Sequence, residues 1–363
     1  MSGRVSSYSG PMQMDSLIQT MTGQLNQLTN EIASGQNANP AGSMGTSAAL
    51  LYQLHAQSDQ ETELQTSIGM ASQQLDTVQT VMTSLGSIAQ TVSNAGLATQ
   101  INGVGTIATT SAVSLAQQAQ SSMQQILGQL NTTYAGSALF AGDNTAPPMQ
   151  AADATGGPID TMDAILSAAV AANGGNPLTS ADIDNLVNGP NGIASVFSNT
   201  NSNPAQNYNG VFYTGATSTQ PTTVLIGTNQ TLQYNAQANQ PAFRDLLQGL
   251  SMLSLVGAPS SQLDESAQAE LVTQGVQMIS QGQTELTNLQ GSLGNTQAQM
   301  QSAISLQQSA ASATQQQIAG YEQTNETADA TNLATLQTQL QAAYELTAQI
   351  SQLSLTHYMP TPA

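Results

Sequence analysis

Apolar residues at both ends of the chain repeat with the spacing of a helical seam. Near the start, Met14, Ile18, Met21, Leu25, Leu28 and Ile32 follow one another at intervals of 4-3-4-3-4. That spacing keeps one stripe facing a partner helix, as in a coiled coil. Ser34-Gly35 ends the pattern, because glycine accepts the left-handed conformation that closes a helix. A second seam runs through Leu64, Ile68, Ala71, Leu75, Val78, Met82, Leu85, Ala89 and Val92, and Asn94 to Gly105 is expected to break it. A third helix is predicted over about residues 107–134, with Ala116, Met123, Leu127, Leu130 and Tyr134 on one face. Toward the other end the pattern returns in Leu286, Leu289, Leu293, Met300, Ala303 and Ala310. It continues in Leu333, Leu336, Leu340, Ala343, Ile350 and Leu353. Gly275, Gly282, Gly291, Gly294 and Gly320 interrupt this stretch, each costing about 1 kcal/mol against alanine, so bends or joints are expected there.

The middle changes character. Residues 143–260 hold most of the prolines, and short β-like runs stand at Val211–Tyr213, Val224–Ile226 and Leu232–Tyr234, with helical pieces near 160–172 and 241–255. The pattern predicts a mostly α fold with an inserted α+β domain. Long antiparallel helices from both termini form a coiled-coil-like bundle, and a β-rich insert lies in the middle. The expected division is 1–36 with 320–363 as terminal helices, 37–142 with 255–319 as a helical core, and 143–254 as the insert.

Charge narrows the function. The 363 residues carry 21 acidic and two basic side chains, Arg4 and Arg244, for a formal net charge of −19. Nucleic acid and anionic membrane surfaces are poor partners for such a chain, since both need Lys and Arg. No apolar run of about 18 residues offers a bilayer span. The first 30 residues lack a basic start followed by an apolar core, so no cleaved signal peptide is expected. The absence of cysteine removes disulfides and thiolate chemistry.

Candidate catalytic and ligand motifs fail on spacing. His55 and His357 have no second histidine or carboxylate at ligand spacing. Asp182 and Asp184 open like a calcium loop but lack glycine at its sixth position and glutamate at its twelfth, so a polar helix start is the better reading. Gly103-Val104-Gly105 is a lone GxG without a preceding strand. The sequons at Asn131, Asn229 and Asn325 are expected by chance in a chain this rich in Asn and Thr. No catalytic residue, cofactor or metal site is expected. Two readings of the terminal stripes remain: both pack onto one monomeric bundle, or, since each stripe is too small to stabilise itself, they gain their further partners from other copies of the chain.

The chain resembles the flagellin and hook-associated protein family over nearly its whole length. Arg4-Val5-Ser6, the first seam and Ser34-Gly35 are similar to that family's N-terminal helix. Leu127–Thr132 leads into Gly136-Ser137-Ala138-Leu139-Phe140-Ala141-Gly142 and Pro147-Pro148, like the close of the N-terminal core in the family's hook–filament junction members. Tyr208, Gly210, Ile226-Gly227 and Ala242-Phe243 resemble the insert and its return. Leu340–Tyr344 and Ile350–Leu355, closing with Tyr358, look more like the junction members than flagellin proper. The run Gln36–Gly42 departs, lacking the basic residue and acidic pair usual there, so any subunit contact made there by ion pairs in relatives must be polar or absent in this chain.

The resemblance implies a structural, non-enzymatic protein of the extracellular bacterial flagellum, exported without a cleaved signal peptide. It implies a ring of subunits joining hook to filament through the two terminal stripes. Its partners would be other copies of itself, a neighbouring hook-associated protein, flagellin and an export chaperone. A filament-forming flagellin and a secreted coiled-coil adhesin stay open as alternatives.

Overall fold

A computed structural model describes residues 6–39, 48–101, 108–142, 144–198, 203, 206–215 and 220–358. The chain opens with helices α1 (Ser6–Ser34), α2 (Ala48–Ile101) and α3 (Thr109–Leu130), followed by the hairpin β1 (Thr133–Tyr134)–β2 (Ser137–Ala138). The middle holds α4 (Pro158–Ala172), α5 (Ile183–Asn188), α6 (Ile193–Ser198), α7 (Tyr208–Val211) and the hairpin β3 (Thr222–Gly227)–β4 (Gln230–Tyr234). Then come α8 (Pro241–Leu255), α9 (Glu265–Glu322) and α10 (Glu326–Tyr358). The fold is the mostly α architecture read from the sequence, with long terminal helices packed together and a small two-sheet β component in the middle. It divides into two compact units, residues 1–63 with 308–363 and residues 64–307, and the division falls within α2 and α9.

The unit of residues 64–307 has a deep core. All nine residues of the second seam are buried, and Ile68, Leu75, Met82, Leu85, Ala89 and Val92 are completely so. They meet the seam of α9, where Leu286, Leu293 and Met300 are at most 2% exposed. Neutral amides bridge the flanks of this antiparallel pair. Gln79 Nε2 donates to the Gln290 carbonyl at 3.1 Å, Gln283 Nε2 to Gln90 Oε1 at 3.2 Å and Gln100 Nε2 to Thr273 Oγ1 at 3.0 Å.

Proline and glycine shape the ends and turns of the middle elements. Pro158 and Pro241 occupy the first turns of α4 and α8, where a missing N–H costs no helical bond. In the β1–β2 hairpin, Ala135 at φ 49° and Gly136 at φ 85° form the two-residue loop, the positive-φ geometry that matches strand twist. The aromatic residues between α3 and α9 join the same apolar cluster as the long helices. Phe140 meets Phe243 edge-on at 5.7 Å, Phe212 lies 4.8 Å from Phe197 and 5.5 Å from Tyr208, and the Tyr208 hydroxyl donates to the Ala238 carbonyl at 2.8 Å. Burial pushes the Tyr208 hydroxyl far above its ordinary pKa and that of Tyr213 to about 12.

Three local expectations are corrected. Val211–Tyr213 is not a strand: Asn207 accepts a hydrogen bond from the Gly210 N–H and caps the short α7, leaving Tyr213 in a single bridge with Met149. The second seam's helix does not break at Asn94 but continues to Ile101, and Gly96 within it admits Val276 to within 2.5 Å of where a Cβ would stand. Residues 102–107, including Gly103-Val104-Gly105, lie outside the described residues. The five glycines of α9 are not joints, since the helix is continuous through them all. Gly275 and Gly282 instead seat α8: a Cβ would fall 2.9 Å from Leu253 Cδ2 at the first and 2.7 Å from the Leu246 N at the second. Gly249 on α8 answers them, since a Cβ there would fall 2.7 Å from the Gly275 carbonyl oxygen.

These glycines therefore separate by mutation. Gly282→Ala is expected to destabilise the protein by about 1–3 kcal/mol through overpacking. Gly291→Ala, with nothing within 4 Å of its Cβ position, is expected to stabilise it by about 0.5–1 kcal/mol. Denaturant melts followed by circular dichroism check both signs.

Candidate assembly surface

The unit of residues 1–63 and 308–363 brings the two terminal stripes together. Its first fixed point is the end of α1. Gly35 adopts φ 68° and its N–H donates to the Glu31 carbonyl at 2.8 Å, closing the helix as Ser34-Gly35 predicts. The Glu31 side chain, 6% exposed, bends over this end and accepts from the Ala38 N–H at 3.0 Å and from Gln27 Nε2 at 3.0 Å. The following residues form a short antiparallel ladder with the α9–α10 turn. Asn37 N donates to the Glu322 carbonyl at 2.8 Å, Thr324 N donates to the Gly35 carbonyl at 3.2 Å, and Gln36 bridges Gln323. The charge-free departure at 36–39 is thus a main-chain clasp within one chain. Pro40–Gly42 lie outside the described residues.

From that clasp α1 and α10 run antiparallel, and Gln24, Gln27 and Leu28 share a groove of about 430 Å³ with Asn332, Thr335, Leu336 and Gln339. Asn325 starts α10 by accepting from the Ala328 N–H at 3.2 Å, the ordinary work of a helix-capping asparagine. On α1, Met21 is buried, while Met14, Ile18, Leu25, Leu28 and Ile32 are half-buried. On α10, Leu336 and Ala343 are buried, Leu333 and Leu340 half-buried, and Ile350 is 43% exposed. Leu353 lies within α10, with its side chain outside the described residues. Ten of the twelve predicted stripe positions are therefore at least half-covered.

The coverage is shallow. Among the described residues, no apolar side chain of this unit is less than 5% exposed, whereas dozens in the other unit are at 0–2%. Large apolar side chains also face outward: Met12 and Leu17 on α1, and Tyr344, Leu346 and Ile350 on α10.

Sequence reading missed a second feature of this unit. Leu51, Leu54 and Ile318 form a small apolar cluster between α2 and α9. Beside it, Glu61 Oε1 accepts from Gln57 Nε2 at 2.9 Å and from Thr314 Oγ1 at 3.2 Å, while Glu61 Oε2 is buried without a partner. The signal was present: counting back in sevens from Leu75 through Ile68 reaches Glu61 and Leu54. Thr314 likewise continues the heptad of Leu286, Leu293 and Met300. The seam turns polar at this layer.

Electrostatics add little. Among the described residues, the one ion-pair contact is His55 Nε2 to Glu322 Oε1 at 2.9 Å, which is ionic only when the imidazole is protonated. Asp182, at the start of α5, accepts from the Thr179 N–H and hydroxyl, both at 2.8 Å, and these bonds hold its carboxyl below the usual range. Asn131 exchanges two bonds with the Met149 main chain, and Asn229 sits in the exposed β3–β4 turn. Among the described residues no group of three or more His, Asp or Glu could hold a metal ion, and no helix is long and apolar enough to cross a membrane.

Comparison with known families places this geometry. A family model described as the bacterial flagellin N-terminal helical region matches residues 5–145, and one described as the bacterial flagellin C-terminal helical region matches residues 276–359. Together they cover well over half of the chain, in the order and at the ends where the stripes lie. A search of curated proteins gives no match. The chain therefore belongs to the bacterial flagellin family and is a structural component of the extracellular flagellum, a polymer of self-associating subunits.

Proposed function

We propose that this protein joins the flagellar hook to the filament, as hook-associated protein 3 does, by forming a ring of subunits through α1 and α10. The observation that carries self-assembly is the contrast in burial. The terminal unit buries only Met21, Leu336 and Ala343 among the described stripe side chains and leaves Met12, Leu17, Tyr344, Leu346 and Ile350 exposed, so further copies supply the missing apolar contact. The assignment to the junction rather than the filament rests on two stretches of sequence. One is Gly136–Gly142 with Pro147-Pro148, and the other is the ending from Leu340 to Tyr358. In this reading Met14, Ile18, Met21, Leu25, Leu28 and Ile32 form the N-terminal assembly stripe. Leu333, Leu336, Leu340, Ala343, Ile350 and Leu353 form the C-terminal one. Neighbouring hook-associated protein and flagellin cover the ring's two sides, and an export chaperone shields the stripes before assembly.

Electron microscopy of hook stubs incubated with purified protein tests the role. Short caps at hook ends are expected, and long filaments grown from the protein alone would make it a filament flagellin instead. Leu340→Asp is expected to abolish capping, because a carboxylate in the closed stripe meets no cation. The melt of the 64–307 unit should stay within about 0.5 kcal/mol of the parent, as for a change far from its core. Amide exchange across Met14–Ile32 is expected to be fast in dilute monomer and at least tenfold slower in assembled material, the signature of ordering on assembly.

A further inference from the structure

The chain has 14 methionines and no cysteine, so its oxidisable sulfur is all thioether. Burial sorts those methionines. In the unit of residues 64–307, Met82, Met123, Met162, Met252 and Met300 are at most 1% exposed and out of reach of a solute. On α1, by contrast, Met12 is 69% exposed, and Met14, the first residue of the N-terminal stripe, is half-buried. Among the described residues one other methionine is exposed, Met70 on α2 at 57%, and it belongs to the 64–307 unit. We propose that Met12 and Met14 form an oxidation site at which hydrogen peroxide, or another two-electron oxidant of that class, switches off the assembly surface of a free subunit. The proposal rests on the reading of α1 and α10 as the assembly stripes.

The step balances without further reagents. The thioether sulfur attacks one peroxide oxygen, and an S–O bond forms as the O–O bond breaks. The hydroxyl proton passes to the departing hydroxide, which leaves as water; the sulfur is oxidised by two electrons and the peroxide is reduced. The product is a sulfoxide, whose oxygen accepts hydrogen bonds and donates none. In a free subunit water satisfies that oxygen. In a closed stripe protein groups must do so, and the donors nearby are already engaged. Ile18 and Met21, further along the same face, have no polar hydrogen. The hydroxyls of Thr20 and Thr22 donate to the carbonyls of Ser16 and Ile18 at 2.9 and 2.8 Å, and Gln19 Nε2 donates to the Asp15 carboxylate at 3.4 Å. An acceptor buried without a donor opposes association, and the flexible apolar side chain that fitted the stripe is gone. The switch acts before incorporation, because the closed stripe covers Met14.

Peroxide treatment of the full chain tests the site, with peptic mapping by mass spectrometry and self-association followed by sedimentation. Met12 and Met70 are expected to gain an oxygen first, Met14 next and the five core methionines last. Conversion of Met12 and Met14 should lower the self-association constant on the order of tenfold or more, the loss expected when an apolar contact of this size is removed. The Met12→Leu/Met14→Leu variant should keep its association at the same dose, and Met70→Leu should lose it as the parent does. Peroxide added after assembly should spare Met14, and the two epimer-specific methionine sulfoxide reductases should restore association to the oxidised parent. A Met12→Leu/Met14→Leu chain that peroxide still disables, or a parent carrying both sulfoxides that associates undiminished, would overturn the proposal. Leu340→Asp separates this from the reading beneath it. If that variant still associates, the stripes themselves are refuted; if it blocks association while the sulfoxides do not, the oxidation site alone is refuted.

Discussion

Almost everything polar in this fold is held by neutral hydrogen bonds, because the chain has only two basic side chains to set against 21 acidic ones. Helices 54 and 58 residues long would ordinarily carry opposite charges at i, i+4 along their outer faces. Here amides and hydroxyls take that place. Threonine hydroxyls bond back to the carbonyl four residues earlier, as at Thr20, Thr77, Thr287 and Thr338. Each such bond satisfies the side chain's one donor and leaves a methyl and a lone pair outward. Glutamines cross from α2 to α9. The contacts are individually worth about 1 kcal/mol or less and barely respond to salt, so specificity falls to shape and to the seams.

The seams were the legible part. Period alone located α1, α2 and α10 and put the right residues of the second seam inside, because a buried stripe leaves its spacing in the sequence whatever it packs against. The glycines were misread for a physical reason. Propensity penalises Gly275 and Gly282 in any helix, and only the partner shows what the missing side chain admits. Their purpose lies in α8, more than twenty residues away in sequence, and no local rule contains it. Val211–Tyr213 failed similarly: three apolar β-formers in a row describe a strand and a buried helical turn equally well, and the Asn207 cap decides between them. The Glu31 and Glu61 placements were recoverable in part, since Glu61 stands on the heptad, yet a charged residue on a seam is easily taken for its end.

The polar layer of Gln57, Glu61 and Thr314 has a structural meaning of its own. A buried carboxylate without a cation costs stability, and apolar residues at the same positions would pack α2 on α9 at least as well. What the layer adds is uniqueness. Two long stripes of similar apolar side chains can slide by a heptad and still bury nearly the same surface. A shift that parts Glu61 from Thr314 leaves a charge facing hydrocarbon, and such a penalty pins register in coiled coils.

The antiparallel pairing of α1 with α10 has a temporal consequence. Among the described residues these are the first and the last helices, and everything from Gly35 to Asn325 separates them. A growing polypeptide displays the α1 stripe long before its mate exists, while the core helices α3 and α8 can already meet. The assembly surface proposed above is therefore completed only after α10 has been made. A chain cut before Asn325, however well its middle folds, would leave the α1 stripe without its mate.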